Sequence, residues 1–139
     1  MKKFIPISML CGFSLLVVTS CLNDEDITIE TIEIVKIDSV RIASDTMDVY
    51  QTQVISTFSQ LKDNCEGFSG YNYGSMSQFE KVVVAVKFKT NETCGTNETT
   101  VESKLNFQPQ VPGTYIFKFK NDIDSSGGDN WLEKKIVVK

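Results

Sequence analysis

Any side-chain chemistry this 139-residue chain performs must use groups other than imidazole, chiefly carboxylates, hydroxyls, lysine amines and cysteines, because it contains no histidine. Histidine-based general-base, triad and metal chemistry are therefore excluded. A two-carboxylate hydrolase has carboxylates to draw on, but none sits in the apolar or aromatic setting that raises a carboxyl pKa for acid catalysis. No glycine-rich phosphate loop follows a strand, no serine occupies a nucleophile elbow and no lysine lies in an apolar pocket pattern. The expectation is a chain that is not an enzyme.

Two groupings carry binding chemistry instead. Asp122, Asp124, Ser126, Gly127 and Glu133 fall at offsets 1, 3, 5, 6 and 12, the spacing at which a calcium loop gathers oxygen ligands around a glycine turn and closes with a bidentate glutamate. Offset 8, however, is Asp129 where such loops carry an aliphatic residue, and Asp, Ser and Gly are what any exposed hairpin turn uses. A polar turn is the primary expectation for 121–130, with calcium the other reading and the only cofactor considered. The second grouping is Phe68, Tyr71 and Tyr73, set among glycines and small polar residues between Cys65 and Gly74 and joined by Trp131. Rigid aromatic side chains offer contact area at low entropic cost, and a sugar or a protein can stack on them. Position 68 is even and 71 and 73 are odd, so at least one ring points outward unless a bulge intervenes. Covering the edges of a small core is the competing role.

The cysteines bear on where the chain resides. Lys2 and Lys3 precede an apolar run from Phe4 to Val18, broken by Pro6, Ser8, Gly12 and Ser14, which is too short to span a bilayer comfortably and reads as a signal peptide over residues 1–20. Val18-Thr19-Ser20-Cys21 resembles the bacterial lipobox, in which an aliphatic residue and two small ones precede the cysteine that takes diacylglycerol. That implies a lipid on Cys21 and an anchor in the membrane. Cys11 competes poorly, because Leu10 stands where the peptidase needs a small side chain. Leu22-Asn23-Asp24-Glu25-Asp26 resembles the acidic signal that carries lipoproteins of Bacteroidota to the outer leaflet of the outer membrane, the competing role being a solvated acidic linker. Residues 21–32 are expected to form an acidic flexible tether and residues 33–139 one domain. In the oxidising compartment so implied, Cys65 and Cys94 are expected to be disulfide-bonded. Their spacing is not that of a redox-active Cys-x-x-Cys pair.

Removing residues 1–20 takes away two lysines and no acid, so the net charge of −4 becomes −6. With no basic cluster, neither nucleic acid nor anionic lipid is an expected charge partner. Asp38-Ser39-Val40 and Asp45-Thr46-Met47 resemble the O-glycosylation sequon of Bacteroidota periplasms, which makes Ser39 and Thr46 candidate sugar sites.

These side chains must be positioned by strands, because period-two alternation recurs with little competing helical pattern. In Val82–Lys89 the even positions are all apolar and the odd ones end in Lys87 and Lys89, so the even face is expected in the core. Val101, Ser103, Leu105 and Phe107 share one face, as do Tyr115, Phe117 and Phe119, and Leu132, Ile136 and Val138. Earlier runs are Ile34–Ile42, Val49–Leu61 and Phe68–Tyr73, with a bend at Ser44-Asp45-Thr46 between the first two. About seven strands at this spacing predict a β-sandwich, with a small lipocalin-like barrel as the alternative.

Pro112-Gly113-Thr114-Tyr115-Ile116-Phe117-Lys118-Phe119 resembles the approach to the penultimate strand of immunoglobulin-like domains, where a tyrosine anchors the corner, although no aspartate stands six positions earlier. Together with the lipobox, the acidic stretch, the cysteine pair and the terminal WLEKKIVVK, it is similar to small immunoglobulin-like lipoproteins of Bacteroidota. That resemblance implies an all-β immunoglobulin-like antiparallel sandwich and an outer-membrane address. The function expected is a surface-anchored, non-catalytic binding or adhesion module for a glycan or protein, the alternative being an accessory subunit of an outer-membrane complex.

Overall fold

The computed structural model describes residues 26–123 and 128–139, and every regular element there is a strand. These are β1 (Ile29–Val35), β2 (Ser39–Ile42), β3 (Thr46–Met47), β4 (Gln53–Asp63), β5 (Glu66–Ser75), β6 (Glu80–Thr90), β7 (Thr96–Phe107), β8 (Gly113–Ile123) and β9 (Asp129–Val138). They form two sheets packed as a sandwich. In the larger, β6 pairs with β5 on one edge and shares its other edge between β1, along Ala85–Thr90, and β8, along Glu80–Val83; β9 and β3 follow β8. The smaller sheet runs β2-β4-β7. Two separate sheets replace the barrel alternative.

The strand count exceeds the seven that alternation suggests for a physical reason. Within the apolar run 34–42 the chain changes sheets: the Ile37 N–H donates to the Lys120 carbonyl of the larger sheet, and the next N–H, of Asp38, donates to Phe58 of the smaller. Thr46–Met47, in the expected bend, adds a short strand beside β9. The β6–β8 and β3–β9 pairs are parallel, so the larger sheet is mixed where uniform antiparallel pairing was the expectation. Alternation sets which side chains share a face and is silent on strand direction. β1 also begins at Ile29, so the domain takes in four residues assigned to the tether.

Tyr115, Phe117 and Phe119 of β8 point between the sheets with Phe107, Ile55, Val83, Ile136 and Ile37, all buried. Phe107 meets Tyr115 and Phe117 edge-on at centroid distances of 5.0 and 4.8 Å, a geometry that adds about 1 kcal/mol per pair beyond area burial. The Tyr115 hydroxyl donates to the Val111 carbonyl at 3.0 Å, four residues upstream, the bond a sandwich corner uses. Gly113 lets this corner close, because a Cβ there would overlap the ring of Phe79.

The chain crosses between sheets twice at one end of the sandwich, from β4 to β5 through Asn64–Cys65 and from β6 to β7 through residues 91–95. Cys65 and Cys94 are disulfide-bonded across these two arches, with Cα atoms 5.5 Å apart. The staple thus holds the sheets together where the apolar core runs out.

Candidate interaction surface

At the disulfide end the space between the sheets is ionic. Register places Lys87 and Lys89 on the inner face of β6, in line with buried Val83 and Ala85. Lys87 pairs with Glu66, whose side chain is 4% exposed, and lies 3.8 Å from Glu33; Lys89 Nζ lies 3.1 Å from Asp63. Burial pushes the Glu66 carboxyl up, but the hydrogen bond from Lys87 and another from the Lys62 N–H outweigh it and hold the group below its ordinary value. The hydrogen bond from Lys89 likewise lowers Asp63. Asp63 also lies near both cysteine sulfurs, yet those sulfurs are joined to each other and the carboxylate accepts from Lys89 and the Cys65 N–H.

The inward lysines correct the expectation for β6. With the odd face inside, the apolar even face, Val82, Val84, Val86 and Phe88, looks outward. Across β1 the registered neighbours of Phe88 and Val86 are Ile32 and Ile34, 65% and 51% exposed. Across β5 the neighbours of Phe88, Val86, Val84 and Val82 are Gly67, Gly70, Asn72 and Gly74. The Phe88 ring lies over Gly67, where any Cβ would collide with it, so glycine here lets the ring cover the backbone. Nothing lies within 4 Å of a Cβ position at Gly70 or Gly74. A shallow groove lined by Asn72, Gly74, Val82 and Val84 therefore runs beside the valine row. Among the described residues β5 pairs with no strand but β6, leaving its outer edge open.

The four aromatic residues expected to share a binding surface are divided between the two faces of the larger sheet. A bulge between Phe68 and Gly70 shifts parity, so Phe68, Tyr71 and Tyr73 all turn to the inner face of β5. Phe68 packs edge-on to Tyr71 at 4.9 Å, and both lie against the core. The Tyr71 hydroxyl shares a 2.7 Å hydrogen bond with Thr57, which is buried on the facing sheet, and desolvation raises the phenol. Tyr73, at the sandwich edge, is 47% exposed. Trp131 is half-buried on the outer face of β9 with Lys120 5.7 Å from its ring centroid, three strands from β5 and on the opposite face from Tyr73. These positions do not gather the four residues into one platform: Phe68 and Tyr71 lie against the core, while Tyr73 and Trp131 keep exposed area on opposite faces.

The other candidate residues are dispersed. Cys21, Asp124 and Ser126 lie outside the described residues. Glu133 sits on β9 opposite Lys118, its carboxylate 4.0 Å from that ammonium, and Asp122 is registered with Asn130 near the hairpin end. Ser39 and Thr46 are exposed on β2 and β3, and the Thr46 hydroxyl lies 3.4 Å from that of Ser44. The outward valine row is the feature sequence reading missed. Its signal was present in β5, whose glycines at 67, 70 and 74 remove three side chains from the face that Asn72 shares. No protein-family model, curated protein or solved structure matches this chain.

Proposed function

We propose that this protein is a lipid-anchored, non-catalytic binding module of the bacterial outer surface, and that what it binds is protein rather than glycan. One observation carries the reading: the outer face of the larger sheet presents an uncharged aliphatic row, half-buried Val84 and Val86 with exposed Ile32 and Ile34, beside an open strand edge. Contiguous exposed apolar surface on a small domain marks a contact site, and an open edge without charge or proline is normally covered. Sugar recognition by stacking needs an exposed aromatic plane; Phe68 and Tyr71 are turned inward, and the two rings that keep exposure, Tyr73 and Trp131, lie on opposite faces and do not form one platform.

Site-specific photocrosslinking in intact cells tests it. A photoreactive residue at Val84 should give protein adducts, whereas one at Val54, 43% exposed on the outer face of the smaller sheet, should give none. Absence of adducts from position 84, together with a glycan-array signal lost on Tyr73→Ala or Trp131→Ala, overturns the protein reading in favour of sugar.

A further inference from the structure

We propose that the end of the sandwich opposite the disulfide carries a second site, a cleft that takes an extended peptide segment bearing one acidic side chain. The site is separate from the valine row and does not rest on it. β7 ends here and β6 and β8 begin, whereas β1 begins beside Thr90 at the other end. The cleft, about 320 Å³, is lined by Tyr73 near the end of β5, Gln78 in the following turn, Lys81 at the start of β6, and the row Asn106, Gln108 and Gln110.

Lys81 sets the charge of the ligand. Register puts it on the inner face of β6 with Lys87 and Lys89. Those two reach Glu66 and Asp63 at the disulfide end. No carboxylate among the described residues pairs with Lys81, which is half-buried and donates instead to the Ser75 hydroxyl at 2.8 Å. None of the residues that line the cleft is acidic, in a chain whose acids outnumber its bases 18 to 14. An ammonium partly withdrawn from water and short of a counter-charge gains most from a carboxylate brought to it by a ligand.

The carboxamides select a peptide to carry that carboxylate. Each offers, in one plane, the donor and the acceptor that a peptide group also presents. Exposed and buried residues alternate from Asn106 to Gln110, past the last residue of β7, and Pro109 biases Gln108 toward extended backbone. Every second side chain of an extended segment recurs at about 6.7 Å, which is also the spacing of the peptide groups that face one way along a bound strand. A peptide laid beside the row therefore meets one carboxamide for every two of its residues. Among the described residues β5 and β7, which both contribute to the lining, each pair on one side only. An incoming strand thus finds unpaired backbone groups as well, the requirement for strand addition.

The row is fixed before any ligand arrives. The Tyr50 N–H donates to the Pro109 carbonyl at 2.7 Å, and the Gln108 side-chain amide donates to the Tyr50 carbonyl at 2.9 Å. These bonds leave the Gln108 side-chain oxygen to accept from a ligand. They also hold Tyr50 at φ 64°, a left-handed conformation unusual for a bulky residue, with its ring 67% exposed. A site ordered in advance loses less entropy on binding.

The test applies the full-length chain, detected through a tag after Lys139, to an array of random decapeptides fixed by their C-termini and to an oligosaccharide array. Bound peptides should share an Asp or Glu at one place among uncharged residues. Asn106→Ala with Gln110→Ala, both at exposed positions, should weaken a selected peptide about tenfold in solution titration, the loss of two hydrogen bonds. Lys81→Gln should make that peptide and its Glu→Gln counterpart bind alike. Lys104→Gln, on β7 but outside the cleft, should change neither result. The inference is overturned by the absence of any bound peptide, by binding that survives the double carboxamide variant, or by an acidic preference that survives Lys81→Gln. An oligosaccharide signal lost in the double variant, with no peptide bound, assigns the cleft to sugar and overturns it as well.

Discussion

Glu66 and Lys87 show what a single residue pair does to both stability and legibility. The pair is almost enclosed, Lys87 being 11% and Glu66 4% exposed, and breaking a buried pair leaves an uncompensated charge that costs about 3 kcal/mol. Glu66→Gln should therefore lower the melting midpoint at pH 7 by roughly 10 °C, and Glu66→Gln with Lys87→Met should recover part of it. The pH dependence has a definite sign. The folded-state pKa of Glu66 lies below its unfolded value, so the stabilisation is present above the ordinary carboxylate range and is lost as pH falls through the folded-state value. Asp63 is shifted in the same direction. Melts from pH 7 down to pH 3 should show a steep acid limb in the wild type and a shallower one in Glu66→Gln; parallel limbs would remove Glu66 from the account. The sequence could not disclose this pair, because alternation says which residues share a face and not which face is inside. The rule that lysines face water chose the wrong one, since it ignores a carboxylate brought from another strand.

At the scale of elements, the strands with the clearest alternation were legible. Tyr115, Phe117 and Phe119, and Ser103 and Phe107, are buried as read, because on β7 and β8 the apolar and polar positions do not compete for the inside. β5 was not legible, since the bulge at Phe68–Gly70 reverses parity within a strand and leaves no mark beyond a glycine. The staple between arches was read correctly from two cysteines, but its place in the fold was not available to counting. It closes a separation of 29 residues and on the chain-entropy model contributes roughly 3.5 kcal/mol. Replacing Cys65 and Cys94 by serine should cost about that much in denaturant melts while the β-type circular dichroism persists. Since the ion pairs Lys87–Glu66 and Lys89–Asp63 lie at the same end, hydrogen exchange should quicken first in residues 60–66 and 88–97. Uniform acceleration over both sheets would mean that the crossing is not a separable unit.

At the scale of the whole molecule, the address and the contact face constrain each other. The acidic segment that follows Cys21 is short, so a lipid on Cys21, as proposed, would hold the sandwich within a few nanometres of the membrane, with β1 the nearest strand in sequence. A monomer in that position would leave Ile32 and Ile34 in water beside an open strand edge, an arrangement that invites uncontrolled pairing. A protein partner seated on this face would cover them. Cys21→Ser should leave an unlipidated precursor, measured as loss of a metabolic lipid label; label that persists in the variant would remove Cys21 as the anchor. Alanine at Asp24, Glu25 and Asp26 separates anchoring from display: the label should persist while protease accessibility on whole cells drops. Unchanged accessibility would assign the acidic stretch to solvation of the tether alone, and the proposed lipid anchor would still stand on the label.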